Sequence, residues 1–371
     1  MLSTKKVVAD MLAYYIMVLT PVLVSVLNWR WRKKAGNTEP AKNWPIAVFF
    51  AIYFVLLALR HSTIGADTQR YISIFEHFNQ TPWSLVFQYS SSDWGYYFLN
   101  KVLAVFIRDP QVFLAIFAAL TVAPLGYLYY QESEGPLISM VLFLVFPVFL
   151  MLFSGIRQSV AIGLVVPALY FTKEKKLWKF LGIVVLAFLF HHSAFIMALI
   201  YPVYHAKLTP KHLLWLIPCL GLAFLFNTSL FSFILRFLEF FMGEDYSSYE
   251  MNQTGAYTMI ILMGLFVVYS FIMPDEEQMD EMTRGFRNFL VLSLFLQMFA
   301  PISSLAMRMN YYFIIFIPLL IPRITNRCKW LNARYLMLIR VVIFLYFVIY
   351  FFDKANTMDS LNIYPYIPFW N

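Results

Sequence analysis

Residues 11–34 read MLAYYIMVLTPVLVSVLNWRWRKK, a mainly apolar run from Met11 to Leu27 that ends on the basic cluster Arg30, Arg32, Lys33 and Lys34. Lys5 and Lys6 before it suit a signal peptide, but no A-x-A-like cleavage site follows, so the run reads as a retained first membrane span. The rest of the chain agrees. Of its 371 residues 61% are hydrophobic and 13% charged, against about 25% charged in a soluble domain. At about twenty residues per crossing the length allows roughly ten to thirteen spans and no separate soluble domain. A soluble enzyme, a Rossmann or TIM scaffold and a secreted disulfide module are excluded. The two cysteines, Cys219 in an apolar run and Cys328 in a basic loop, do not suggest a disulfide.

Further apolar runs occupy residues 44–59, 111–130, 136–153, 160–171, 177–190, 194–204, 213–226, 257–273, 289–307, 311–322 and 335–352. Short cytoplasmic loops collect Lys and Arg. Three connections are strongly basic: Arg30 to Lys42; Lys173, Lys175, Lys176 and Lys179; and Arg323, Arg327, Lys329 and Arg334. Placing all three inside requires Arg60 to Pro110 to begin and end outside. The run Gly95 to Ile107 then does not cross; it is short and amphipathic, interrupted by Asn100 and Lys101. The expectation is an all-α, polytopic integral membrane protein with about twelve transmembrane helices, amphipathic helices on the outer face, and both termini outside. Lys5 and Lys6 stand against that orientation. Residues 1–371 form one membrane-embedded domain with outer segments 60–110 and 230–256. The acidic run Asp275 to Glu281 falls inside and reads as a solvated loop. No internal repeat or Gly-Ser linker is present, which counts against an inverted-repeat transporter.

Arginines on the outer side need a reason, and this topology leaves six there: Arg60, Arg70, Arg108, Arg157, Arg236 and Arg308. Arg157 and Arg308 each lie between apolar runs joined by almost no loop, where a charge is costly unless it faces a cavity or partner; snorkelling at a helix end is the plainer alternative. Arg108 has Asp109 beside it, and Arg236 stands three residues before Glu239 on an amphipathic run. Outward guanidiniums suit a lipid-linked anion, because the planar fork grips phosphate with two donors and stays charged; a pyrophosphate fits well. The net charge of +8 is thus a matter of topology and lipid phosphate, not of nucleic acid.

Two more clusters fall on the same side. His191 and His192 occupy a short outer turn with Ser193. Adjacent histidines diverge, and no third ligand stands three or four residues away, so zinc is not expected. A turn cap is one reading; a proton acceptor, or a donor to phosphate or sugar, is the other. In residues 60–71, Gly65 permits a tight turn, Asp67 can cap the following helix, and Tyr71, Phe75 and Phe78 share a face. Asp67, close to the arginines in sequence, is also a general-base candidate. There is no D-x-D pair, P-loop or G-x-S-x-G motif, so neither metal, cofactor nor nucleotide-driven chemistry is expected.

These motifs resemble the EpsG-type, Wzy-like family of polysaccharide polymerases. Four patches match in order: Arg60 with Gly65-Ala66-Asp67-Thr68 and Tyr71; Ser154-Gly155-Ile156-Arg157-Gln158 with Ala161; Phe190-His191 with Ser193-Ala194; and Arg308 with Tyr311, followed by Pro322. Tyr364-Pro365-Tyr366 matches the family's ending. Ala66 departs from an expected threonine, and His192 fills a variable position. The resemblance implies a multi-pass enzyme of the bacterial inner membrane, its active site facing outside, that joins undecaprenyl-pyrophosphate-linked repeat units into exopolysaccharide, capsule or O-antigen. Its partners would be the lipid-linked glycan donor and acceptor, membrane lipid and a chain-length-control (polysaccharide co-polymerase) protein. Arg60, Arg157 and Arg308 would hold pyrophosphate, and Asp67 or His191 would serve as the base. Arg70, Tyr71, Gln158, Ser193, Arg236, Tyr246, Tyr249 and Tyr311 would contact substrate, with Tyr257 a further aromatic of the kind that stacks on sugars. An O-antigen ligase-like glycosyltransferase would share the outward arginines. A transporter of polysaccharide or lipid-linked sugar would instead place ionisable residues near the midplane.

Overall fold

The computed structural model describes residues 12–34, 43–86, 88, 93–242, 255–328, 341, 345–346, 349 and 361–370. Tyr246, Tyr249, most of the run 335–352 and the charges Lys5, Lys6, Lys42, Lys329 and Arg334 lie outside them. Every named element is helical; only two isolated backbone bridges occur among the described residues. The chain, read above as one membrane-embedded domain, folds as two compact units: Met1–Phe195 with Ala333–Asn371, and Ile196–Asn332.

The first unit contains α1 (Leu12–Lys34), α2 (Trp44–Ala58), α3 (Thr68–Phe78), α4 (Trp83–Val86), α5 (Trp94–Phe106), α6 (Pro110–Glu132), α7 (Pro136–Val145), α8 (Pro147–Ser154), α9 (Ile156–Gly163), α10 (Val165–Lys173) and α11 (Leu177–Phe190). Its core is aromatic. Phe49, Phe50 and Tyr53 of α2 pack on Phe143 and Phe149, and the Tyr53 and Phe149 rings stack 4.8 Å apart. The Tyr53 hydroxyl donates to the Phe149 carbonyl at 2.6 Å, which satisfies the one polar atom this cluster buries. The helix α9, which carries Arg157, is wedged between α6 and α11.

The expected short amphipathic helix is present as α5, but its polar positions are turned into the protein. Asn100 and Lys101 are buried, the Lys101 ammonium donates to the Phe78 carbonyl at 2.8 Å and lies over the Trp83 ring, and Phe98 and Phe106 are exposed. The polar positions interrupting the run are therefore the packed face, as suits a helix whose outer face meets an apolar medium.

The second unit contains α12 (Ile200–His205), α13 (Leu213–Leu225), α14 (Asn227–Met242), α15 (Gly255–Ile272), α16 (Glu281–Gln297), α17 (Ser304–Ile314) and α18 (Ile317–Asn326). The central helix α16 packs against α12, α15, α17 and α18. A buried polar chain fixes α17 on it: Ser293 donates to Asn310 Oδ1 at 2.6 Å, and Asn310 Nδ2 donates to Gln297 Oε1 at 2.8 Å. The acidic run is exposed at Glu277, Asp280 and Glu281, as a solvated loop would be, and it also carries ion pairs. Fully buried Arg287 pairs with Glu276, and Asp280 faces Arg323 at 3.2 Å and Arg327 at 3.4 Å. Burial pushes the Asp280 carboxyl up, but Thr283 and the two guanidiniums outweigh it and hold the group below its ordinary value. The loop is an ionic clamp on α16.

Two described helices, α1 and α6, are long and apolar enough to cross a membrane alone; the number rises to five if three bent pairs each count as one span. The twelve expected crossings are not reached by this criterion, and the reason is physical. The pairs α7 with α8, α13 with α14 and α17 with α18 bend by 60°, 81° and 46°. Pro147 and Pro318 start α8 and α18, where a proline cannot continue the preceding hydrogen-bond ladder. Other apolar helices are short: α2 has 15 residues and α11 has 14, so each reaches only about 22 Å against a hydrocarbon core of about 30 Å.

Candidate active site

The first unit brings three of the four sequence patches together. Gly65 takes φ +90°, where glycine alone is unstrained, and a side chain there would strike the Phe153 carbonyl at the end of α8. That close approach seats the first patch on the second. Thr68 Oγ1 lies 3.3 Å from the same carbonyl, the Asp67 amide donates to Ser154 Oγ at 3.3 Å, and the Ser154 hydroxyl stands 3.5 Å from Asp67 Oδ2. Asp67 is at the N-terminus of α3, but its side chain makes no capping bond there; it is exposed and turned toward Ser154.

Arg157, at the start of α9, is held on several sides. Its Nη1 donates to Asp93 Oδ2 at 2.6 Å, its Nε reaches 3.5 Å from the Tyr71 hydroxyl, and its guanidinium carbon lies 5.7 and 5.8 Å from the Tyr71 and Tyr96 ring centres. Cation–π contact of this kind adds to the ion pair while fixing the plane of the fork. The side chain stays 25% exposed, and among the described residues Nη2 makes no hydrogen bond. The guanidinium is thus already oriented, with a nitrogen that could serve an anion.

Asp93 is the residue that sequence reasoning missed. Its side chain is only 2% exposed and serves two patches at once: Oδ2 binds Arg157, and Oδ1 accepts the His192 amide at 3.1 Å and lies 3.7 Å from His192 Nδ1. Asp93 has φ +60°, a left-handed conformation that Asp and Asn tolerate better than most residues. The available signal was an isolated acid directly before an amphipathic aromatic helix, in a segment that also carries Arg60, Arg70 and Arg108.

The histidine turn follows α11 and opens the 3₁₀ run His192–Leu199. Buried His191 accepts the Ser193 amide on Nδ1 at 3.1 Å, with the Ser193 hydroxyl 2.9 Å from the same nitrogen. With Nδ1 accepting the Ser193 amide, the neutral ring carries its proton on Nε2, which is then a hydrogen-bond donor. Gln158 Nε2 lies 3.4 Å from Ser193 Oγ, joining the second patch to the third.

The other expected site residues stand elsewhere. Arg60 is buried at the end of α2, donating to the Leu57 carbonyl; burial pushes its guanidinium down to about 10, so it stays charged at neutral pH. Its Nε has no partner among the described residues, and the side chain lines, with Thr121 and Ser159, a cavity of about 10 Å³, room for about one water. Arg70 and Arg236 are exposed. Arg308 and buried Tyr311 lie one helical turn apart on α17 of the second unit. Tyr257 is exposed. No group of three or more His, Cys, Asp or Glu side chains suited to a metal gathers among the described residues.

One family model matches the chain, that of the EpsG family, over residues 43–367. No curated protein and no solved structure matches it. The matched range takes in all four sequence patches and the Asp93 that links two of them.

Proposed function

The chain belongs to the EpsG family, which makes it a glycosyltransferase-like membrane protein of polysaccharide synthesis, and from that premise we propose that it polymerises undecaprenyl-pyrophosphate-linked oligosaccharide repeat units on the outer face of the bacterial inner membrane. The product would be exopolysaccharide, capsule or O-antigen. The observation that carries this reading is Arg157, a guanidinium fixed by Asp93, Tyr71 and Tyr96 with one nitrogen uncommitted among the described residues. Such a group suits an oxyanion that gains charge as the reaction proceeds.

In the proposed step an acceptor sugar hydroxyl attacks the anomeric carbon of the donor glycan. The new glycosidic bond forms as the bond from that carbon to the lipid pyrophosphate breaks, and the electron pair leaves on the phosphate oxygen. Arg157 stabilises that charge in place of a metal. The hydroxyl proton passes to Asp67, the exposed carboxylate of the first patch, whose side chain is not engaged in capping its helix. His191 suits a different task, because its Nδ1 is occupied by Ser193 and its Nε2 bears the proton. It donates a hydrogen bond to phosphate or sugar. Arg308 keeps its proposed role as a pyrophosphate ligand on the strength of the sequence pattern, and Arg60 supports the site from beneath, being too enclosed to grip a pyrophosphate. Tyr71, Gln158 and Ser193 line the first-unit site; Arg70, Arg236, Tyr246, Tyr249 and Tyr311 remain proposed glycan or lipid contacts, each testable by substitution. A chain-length-control protein is the expected partner.

The test is the lipid-linked glycan profile of cells carrying single variants at equal expression. Arg157→Lys and Arg308→Lys keep the charge but lose the bidentate fork, so each is expected to lower chain extension about a hundredfold or more and to accumulate single-unit lipid-linked glycan. Normal polymer length and yield in both Arg157→Ala and Arg308→Ala would overturn the reading.

A further inference from the structure

The segment Leu361–Trp370 lies hundreds of residues from Asp67, yet it is bonded along the loop that leads to it. The backbone of Arg60 bridges Pro368, the His61 amide donates to the Ile367 carbonyl at 2.8 Å, the Gly65 amide to the Asn362 carbonyl at 2.9 Å, and the Phe369 amide to the Leu59 carbonyl at 2.9 Å. Two tyrosines fasten the segment to helices. The Tyr14 hydroxyl of α1 donates to the Ile363 carbonyl at 2.7 Å, and the Tyr366 hydroxyl donates to the Leu56 carbonyl of α2 at 2.9 Å. The Tyr14 ring lies 4.3 Å from that of Tyr364 and 6.4 Å from that of Tyr366. From the other side Gln111 Nε2 at the start of α6 donates to the carbonyls of Ala58 and Arg60.

These bonds fall where the chain would otherwise be free to move. Residues 59–66 connect two helices without a ladder of their own, and Gly65 in a left-handed conformation is the most permissive position in the connection. Its amide is spoken for by Asn362, and its carbonyl accepts the Thr68 amide at 3.0 Å, starting the helix that presents Asp67 and Tyr71. A shift at Gly65 therefore carries both the carboxylate and the ring that stacks on Arg157.

We propose that the segment Asn362–Phe369 is a positioning strap for the reaction, holding the 59–66 loop so that Asp67 meets the acceptor hydroxyl. The strap touches no substrate; it acts through the backbone of the loop and through Tyr14. The proposal deepens the reading of Asp67 as the base and rests on it, so the experiment separates the two.

Tyr14→Phe with Tyr366→Phe in the full-length protein removes both side-chain fastenings while keeping the rings. Each bond lost is worth roughly two- to tenfold in an equilibrium, so the double variant is expected to lower kcat about tenfold with KM for lipid-linked acceptor unchanged. A thiol introduced by Ala66→Cys, beside Asp67 on the exposed side of the loop, is expected to alkylate severalfold faster in the double-variant background. Unchanged alkylation together with unchanged kcat would overturn the strap. So would a fall in apparent kcat that tracks loss of folded protein, with no change in alkylation. If the double variant does not accumulate, Tyr366→Phe alone, at a half-exposed ring, carries the same two readouts at smaller amplitude. Full activity in Asp67→Asn would sink the base assignment, and the alkylation rate would still decide whether the segment holds the loop.

Discussion

Replacing Asp93 by Asn is the sharpest single probe of the first-unit site. Asn tolerates the left-handed backbone at φ +60° as well as Asp does, and its volume is nearly the same, so the substitution removes charge and little else. The pair it dismantles is a 2.6 Å contact between a carboxylate 2% exposed and a guanidinium 25% exposed. Removing one partner outright from such a pair costs about 3–5 kcal/mol. Asn retains an oxygen acceptor, so what falls is the difference between a charge-assisted and a neutral hydrogen bond, about 1–2 kcal/mol. If that difference is spent in holding Arg157 where the leaving oxygen develops charge, chain extension should slow roughly five- to thirtyfold. Asp93→Ala, which also releases the His192 amide, should fall to background and lower the thermal midpoint of the detergent-solubilised protein. The assay is the ladder of lipid-linked glycans formed by purified protein from a defined repeat unit, with initial rates at several acceptor concentrations. Asp93→Asn at or above wild-type rate would refute the reasoning: the carboxylate would then only compete with pyrophosphate for Arg157.

Three other outcomes follow from the same geometry. Asp67→Asn should abolish extension, whereas His191→Gln, which keeps a donor and an acceptor, should retain a measurable rate; comparison of glycan ladders at equal expression decides, and the reverse order would make His191 the base. Polymerisation should persist in EDTA, since Arg157 is proposed to carry the leaving-group charge; loss restored by a divalent metal would demand another mechanism. Single cysteines at Gln80 and Asp109, both exposed, should react with an impermeant thiol reagent added outside intact cells, and one at Lys175 should not; labelling at Lys175 but not Gln80 inverts the topology.

The sequence made legible what depends on composition and on local punctuation. Apolar runs announced helices in membrane and Gly65 marked the turn, whereas the breaks at Pro147 and Pro318 were read through as single runs. Arg157, Gln158, Tyr71, His191 and Ser193 stood out in the sequence as candidates, and contacts within the first unit link Arg157 to Tyr71 and Gln158 to Ser193 and His191. The span count was less legible, because hydropathy reports that a segment is apolar and not whether it is straight. The inward polar face of α5 was hidden for a related reason: in a lipid-exposed protein the polar positions of a short amphipathic helix can be the packed ones, and periodicity alone gives no sign of direction.

Asp93 and Arg60 mark the deeper limit. Asp93 follows Ser90, Ser91 and Ser92, a context that reads as solvated loop, and its partners are 64 and 99 residues away. Only the packing of α5 against α3 and α11 makes that carboxylate a buried counter-ion. Arg60 lay in the right motif but acquired its neighbours from α6 and from a segment some 300 residues later. An outward arginine can be a ligand or a foundation, and the sequence pattern is identical for the two. What distinguishes them is exposure: the Arg157 side chain is a quarter exposed and keeps a nitrogen without a hydrogen bond among the described residues, while Arg60 is 2% exposed and lines only a cavity the size of one water. On that ground Arg157 is the stronger candidate for the proposed pyrophosphate contact, and Arg60, bonded at the end of α2, stands where it would hold the loop leading to Asp67.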